Sequence, residues 1–152
     1  MDDKDRQILR ALQQNGRITN QDLAQQVNLS PSPCLRRLRL LEQSGAIQGY
    51  SAEVDAKTYG LPVMVYIRIQ LSPHTKEIVS AFESRIKQLD EVLECHLLTG
   101  QSDYLLRVMV AGLDTYEDFI RGKIHPIKGI ASIDSSFVYG TVKKTNVFPA
   151  VR

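Results

Sequence analysis

The chain has little of what would mark a disulfide-bonded, membrane-embedded or metal-dependent protein. Its 152 residues include two cysteines, Cys34 and Cys95. They are far apart and each sits inside an apolar pattern, so no disulfide framework is expected and both read as structural thiols in a reducing compartment. Long apolar runs are missing. The stretches from Val63 to Ile67 and from Val108 to Ala111 fall far short of the ~20 residues that span a bilayer. The opening Met1-Asp2-Asp3-Lys4-Asp5 is acidic, where a signal peptide needs a basic and then an apolar stretch. A cytoplasmic protein without membrane contact is the expectation. An excess of one charge is also lacking, and a formal net charge of +2 is too small to argue for a nucleic-acid partner. Only clustering of basic residues can carry that inference. His74, His96 and His125 lie in three unlike segments without metal-ligand spacing, and the neighbours Cys95 and His96 would point to opposite faces of a strand. Glycine-rich phosphate loops and serine-nucleophile motifs do not occur. Neither a metal, a cofactor nor an enzymatic activity is expected.

What is present is a hydrophobic content of 43%, ordinary for one folded domain or two small ones. Ile8, Leu9, Ala11 and Leu12 have helical spacing, Asp2 or Asp3 can cap that helix, and Asn15-Gly16 can end it in a left-handed turn. Thr19 stands three residues before Asp22, a capping-box variant for a short second helix over about residues 20–27. Asn28 tolerates the left-handed conformation a tight turn needs, and Ser30-Pro31 reads as cap and first position of a third helix, with Pro33 still in its first turn. That helix runs to Ser44, where Gly45 stops it. Residues 46–55 look extended. The breaker-rich stretch from Lys57 to Pro62 marks a boundary, giving domains over 1–45 and 63–152 joined by a hinge over 46–62.

Beyond the boundary, Val63, Val65, Ile67, Ile69 and Leu71 alternate with Met64, Tyr66, Arg68 and Gln70, the period of a half-buried strand. Ile78, Val79, Phe82, Ile86 and Leu89 then share a helical face. Two strands follow, Val92 to Leu98 and Tyr104 to Val110, joined by the loop from Thr99 to Asp103. Asp114 with Glu117 makes a capping box for a helix that His125-Pro126 and Gly129 end, and a last strand covers Ile130 to Tyr139. Val142 to Phe148 would add a short fifth strand. The class is α+β: a helix-turn-helix followed by a ferredoxin-like βαββαβ domain with an antiparallel sheet.

On the third helix Cys34, Leu35, Leu38 and Leu41 take one side at 100° per residue, while Ser32, Arg36, Arg39 and Gln43 share a narrow arc opposite. No acidic residue interrupts Ser30 to Leu41, so Arg36, Arg37 and Arg39 lack a helical neighbour of opposite sign until Glu42. Three arginines on an exposed helix are usually a solvated surface. The short helix, the asparagine turn and the Ser-Pro start before them have helix-turn-helix spacing, however, and an uncompensated arginine arc suits a major groove. The candidate DNA-contacting set is Ser30, Ser32, Pro33, Arg36, Arg37 and Arg39, with Arg37, near the apolar edge, assigned to backbone phosphate.

Several segments together resemble one family. Asp2 to Leu9, Asn15-Gly16-Arg17-Ile18, Leu29 to Leu38 and Gly45-Ala46-Ile47 are similar to the Lrp/AsnC transcription regulators. So, in order and spacing, are Val92 with Glu94-Cys95, Thr99 to Leu106, and Ser136-Phe137-Val138 with Lys143. The resemblance implies a winged-type helix-turn-helix, a β-linker over about 46–55, and an effector and assembly domain that pairs through its sheet into homodimers and then ring-like octamers that bend or wrap DNA. It implies a sequence-specific regulator of double-stranded DNA whose activity or assembly responds to a small amino acid held between dimers, beside Thr99, Gly100, Gln101, Asp103 and Tyr104.

Such a zwitterion needs an acceptor for its ammonium group, which Asp103 can supply. It also needs donors for its carboxylate, which the backbone near Gly100 with Ser135 or Ser136 can supply. Gln101 departs from the acid that relatives often carry, which favours a neutral amino acid. Without the resemblance the same loop reads as a plain strand connection, with Gly100 permitting the turn and Asp103 capping local amides. Two other functions stay open. Ferredoxin-like sheets also carry small dimeric isomerases and oxygenases, and an architectural protein that wraps DNA with little sequence preference would use the same arginine helix.

Overall fold

The computed structural model describes residues 1–150, and its internal contacts divide the chain into two units. The first unit holds Met1–Glu53 together with the chain from Val142 onward, the second Val54–Thr141. The first unit opens with α1 (Asp3–Gln14), capped reciprocally: the Asp2 side chain accepts from the Asp5 amide and the Asp5 side chain from the Asp2 amide, both at 2.9 Å. Helix α2 (Asn20–Gln26) is capped by Thr19, whose hydroxyl accepts from the Asp22 amide at 3.2 Å. Asn28 takes φ +53, turning the chain left-handed into α3 (Pro31–Gln43). Ser30 is the N-cap of α3 but makes no side-chain cap bond, so Pro31, with no amide to satisfy, does the work of starting the helix. Ile8, Ala11, Leu23, Ala24, Val27, Cys34 and Leu41 form one buried cluster, with Leu38 packed against it. Leu35, expected on that apolar side, lies outside the cluster and is half-buried. It stands about 100° around the helix from Cys34.

Other expectations for this unit are corrected. Helix α1 ends with Asn15 at φ −146, extended rather than left-handed. No strand forms over 46–55; the second unit then opens with a helical turn, α4 (Ala56–Tyr59), capped by Asp55 and closed by Gly60 at φ +98. The residues from Val142 to Phe148 form no fifth strand either, and although expected within the second domain they belong by contact to the first unit. The polar side chains of α1 capture this segment: the Gln13 side-chain amide donates to the Asn146 carbonyl at 2.8 Å and accepts from the Phe148 amide at 3.1 Å, while Arg10 donates to the Phe148 carbonyl at 2.9 Å. Backbone satisfied in this way has no need of a sheet edge.

The second unit follows the expected order: β1 (Val63–Leu71), α5 (Lys76–Ile86), β2 (Val92–Leu97), β3 (Tyr104–Val110), α6 (Leu113–Phe119) running on as a π-helical turn over Ile120–Ile124, and β4 (Ile130–Phe137). All strand pairs are antiparallel, in the spatial order β2-β3-β1-β4. The alternating residues Val65, Ile67, Ile69 and Leu71 are buried with Leu106, Val108, Phe82, Ile86, Phe119 and Ile124. Helix α6 is capped by Gly112 without a side-chain bond, so the expected Asp114–Glu117 box does not form. Asp114 lies instead in the first turn, where its charge faces the unpaired amides. No helix of the described residues is long and apolar enough to cross a membrane.

Candidate nucleic-acid interface and effector loop

Helix α3 is held in place by contacts made before it begins. The left-handed Asn28 turn is closed by the Leu29 amide donating to the Ala24 carbonyl at 2.9 Å, and the Asn20 side-chain amide donates to the Pro31 carbonyl at 3.0 Å. Lys4 spans from α1 to the end of α2, donating to the Val27 carbonyl at 2.6 Å. With Cys34 and Leu41 buried, the opposite side of α3 is presented outward: Ser30, Ser32, Pro33, Arg36, Arg39 and Gln43 are all exposed. Among the described residues Arg36 and Arg39 have no acidic partner, so a cationic arc survives in the folded unit.

Arg37 does not belong to that arc. Its Nη1 lies 2.7 Å from Asp2 Oδ2 and 2.8 Å from Asp5 Oδ1, and its side chain is 29% exposed. The amide of Asp5 and then the Arg37 guanidinium hold the Asp2 carboxyl below the usual carboxylate range. Two carboxylates at the start of α1 thus already balance the charge of the arginine expected at a backbone phosphate. Nothing in the local sequence of α3 signals this pairing, because Asp2 and Asp5 lie at the start of α1 and only the packing of α1 against α3 joins them to Arg37.

The loop from Leu98 to Asp103 is tied at its base. The Leu98 amide donates to the Asp103 carbonyl at 2.8 Å and the Asp103 amide to the Ile69 carbonyl at 2.9 Å. The Asp103 carboxylate accepts from the Leu71 amide at 2.7 Å through one oxygen and meets His74 Nε2 at 2.8 Å through the other. The Leu71 bond, then the His74 contact, hold that carboxyl below its ordinary range. Asp103 thus acts first as a brace between the loop and the end of β1. Gly100 takes φ +114, and Thr99, Gly100 and Gln101 are exposed. Within the described residues the amides from Thr99 to Ser102 make no hydrogen bond, leaving a row of free donors around that glycine.

The remaining candidates do not converge on this loop within one chain. Tyr104 is buried: its ring packs on Phe82 with centroids 4.6 Å apart, and its hydroxyl donates to Glu83 at 2.8 Å. Burial, with the Glu83 carboxylate, pushes that hydroxyl's pKa up. Ser135 and Ser136 lie on β4, separated from β3 by β1. Ser135 pairs opposite Ile67 and bonds Tyr116, whereas Ser136 pairs opposite Tyr66 and accepts from Arg68 at 3.5 Å. Adjacent residues of a strand face opposite ways, so the two serines cannot line one site together. Neither cysteine is bonded; Cys34 is buried, but Cys95 on β2 is exposed and not the packed thiol expected. Cys95 pairs opposite Leu106 and His96 opposite Leu105, so they do face opposite sides. No cluster of potential metal ligands occurs among the described residues.

Comparison with known proteins adds an independent line. A family model described as a winged helix-turn-helix DNA-binding domain matches residues 1–48, and one described as the Lrp/AsnC ligand binding domain matches residues 64–148. The leucine-responsive regulatory protein of Klebsiella pneumoniae is 36% identical over 146 residues, 96% of this chain and 89% of that protein. The Bkd operon transcriptional regulator of Pseudomonas aeruginosa is 39% identical over 142 residues, 93% of each. Among solved structures, a transcriptional regulator of Neisseria meningitidis in complex with L-Met superposes with a TM-score of 0.94 at 36% identity, covering 98% of this chain and 96% of that one. Escherichia coli AsnC gives 0.88 at 31% identity, covering 98% and 99%.

Proposed function

The chain belongs to the Lrp/AsnC family of transcription regulators, and from that premise we propose which residues meet its DNA and its effector. The observation that carries the reading is the unpaired arc of Ser32, Arg36 and Arg39 on a helix that enters directly from the Asn28 turn. Arg36 and Arg39 reach guanine edges or phosphates in the major groove of a duplex, and Ser30, Ser32 and Pro33 approach the backbone at the start of the helix. The second unit takes a neutral free amino acid, in line with the L-Met held by the Neisseria regulator. Its carboxylate is received by the free amides around Gly100, beside the exposed side chains of Thr99 and Gln101. Asp103 braces this loop, and a second copy of the chain supplies the ammonium acceptor, with Ser135 or Ser136 of that copy nearby. The copies pair through the sheet face bearing Tyr66, Arg68, Leu105 and Arg107 into homodimers and from there octamers. The chain works in the cytoplasm and catalyses no reaction of its own.

The test is selection of a duplex from a random pool by the full chain, followed by affinity for the selected and a scrambled duplex, with and without each amino acid. A regulator binds its own site ~10³-fold or more tighter than random duplex. A ratio near one would favour an architectural protein. Calorimetry with the twenty amino acids then identifies the effector, and heat exchange unchanged by Gln101→Pro, which removes one of the free amide donors around Gly100, would remove the loop from the effector site.

A further inference from the structure

The second unit contains an open cleft of about 430 Å³ between α5 and the edge strand β2. Small-molecule sites run from about 300 to 1,000 Å³. Most of its wall is apolar, with Ile86, Val92, Leu93 and Leu97 beside the ring of Tyr104. Leu93 and Leu97 are 50% and 71% exposed, so these aliphatic surfaces stay unsatisfied within the chain. Two opposite charges, Glu83 and Lys87, also line the cleft one helical turn apart. The exposed Cys95 thiol lines the same cleft. The two charges are not paired with each other or with any other ion among the described residues. One Glu83 oxygen accepts from the Tyr104 hydroxyl at 2.8 Å, which orients the carboxylate and leaves its second oxygen available.

The geometry points to a second binding site, for a free α-amino acid with an apolar side chain: Glu83 accepts its ammonium, Lys87 donates to its carboxylate, and Ile86, Val92 and Leu97 cover the side chain. A carboxylate and an ammonium lining one mostly apolar cleft are complementary to a zwitterion, whereas a simple anion or cation would leave one of them opposed by nothing. The cleft runs along β2 from Val92 to Leu97, and no residue from Thr99 to Asp103 lines it. Its donors and acceptors are different from those of the loop, so either site can exist without the other.

Cys95 provides the measurement. It is the exposed thiol and lines the cleft, whereas Cys34 is buried, so the rate of alkylation of the full chain by iodoacetamide at mildly alkaline pH reports occupancy. L-leucine or L-methionine at ten times its dissociation constant is expected to slow the reaction about 10-fold. N-acetyl-leucine lacks the ammonium and leucinamide lacks the carboxylate, and each should need about 10-fold more ligand, the loss for one charge-assisted hydrogen bond. Glu83→Gln and Lys87→Met should impose the same loss, and Gln101→Ala none. Lys87 is exposed at the end of α5, so Lys87→Met alone decides the matter if Glu83→Gln folds poorly. Alkylation indifferent to both amino acids at millimolar concentration, or equal protection by leucinamide, would overturn the proposal. Protection lost in Gln101→Ala would also overturn it and would assign the effect to the loop instead.

Discussion

Replacing the three arginines of α3 one at a time separates a side chain that meets DNA from one that holds the domain together. Arg37 lies 2.7 and 2.8 Å from two carboxylates, whereas Arg36 and Arg39 are exposed and unpaired among the described residues. An arginine that neutralises a phosphate releases about one counterion, so its removal should flatten the slope of log K against log salt by about 0.9. One that reads a base edge contributes about 1 to 3 kcal/mol of discrimination, roughly 5- to 150-fold in affinity for the selected site. Arg36→Ala and Arg39→Ala should each show one of these losses.

Arg37→Ala removes a charge that Asp2 and Asp5 already balance, so the salt slope should stay at its wild-type value while thermal stability falls. That stability loss should itself depend on pH. The Asp2 carboxyl is held low by the Asp5 amide and by Arg37, so the stabilisation is present above its unfolded pKa and is lost as pH falls through the lower folded value. Fluorescence anisotropy on the selected and scrambled duplexes between about 50 and 200 mM salt reads the slopes, and thermal unfolding reads the stability. A folded Arg37→Ala protein whose slope flattens by about one, beside wild-type behaviour in Arg36→Ala and Arg39→Ala, would refute the assignment of the arc.

Two further outcomes concern the second unit. Asp103→Ala strands the Leu71 amide and the His74 contact, and should lower stability at neutral pH by on the order of 1 kcal/mol. Because the Asp103 carboxyl is held low in the folded chain, the difference from wild type should shrink as pH falls through that lowered value; urea unfolding at neutral and strongly acidic pH checks it. Gly129 has φ +89, and a Cβ there would stand 2.2 Å from Ile78 Cγ2. Left-handed strain of about 1–2 kcal/mol and overpacking of about 1–3 kcal/mol make Gly129→Ala cost about 2 to 5 kcal/mol. Gly60, at φ +98 with nothing within 4 Å, should lose only the first part on substitution by alanine. Equal urea midpoints for the two variants would show that Ile78 yields.

Local chemistry accounts for the features that could be read along the chain. Thr19 caps α2, Asn28 turns left-handed, Pro31 opens α3 and the alternation from Val63 to Leu71 becomes β1, because each depends on dihedral preference or on residues within a few positions. The outward arc of Ser32, Arg36 and Arg39 was equally legible, since helical periodicity alone sets it opposite Cys34 and Leu41. Tertiary contact decided the rest. Arg37 differs from Arg36 and Arg39 because Asp2 and Asp5, more than thirty positions away, reach it only when α1 packs beside α3. Tyr104 turned inward to Phe82 and Glu83, and the pairing register set Ser135 opposite Ile67 and Ser136 opposite Tyr66, although their facing opposite ways follows from strand alternation alone. The segment after Val142, which has strand-like composition, was taken by Gln13 and Arg10. An extended chain pairs with whatever donors and acceptors the fold places beside it, and that depends on distant sequence.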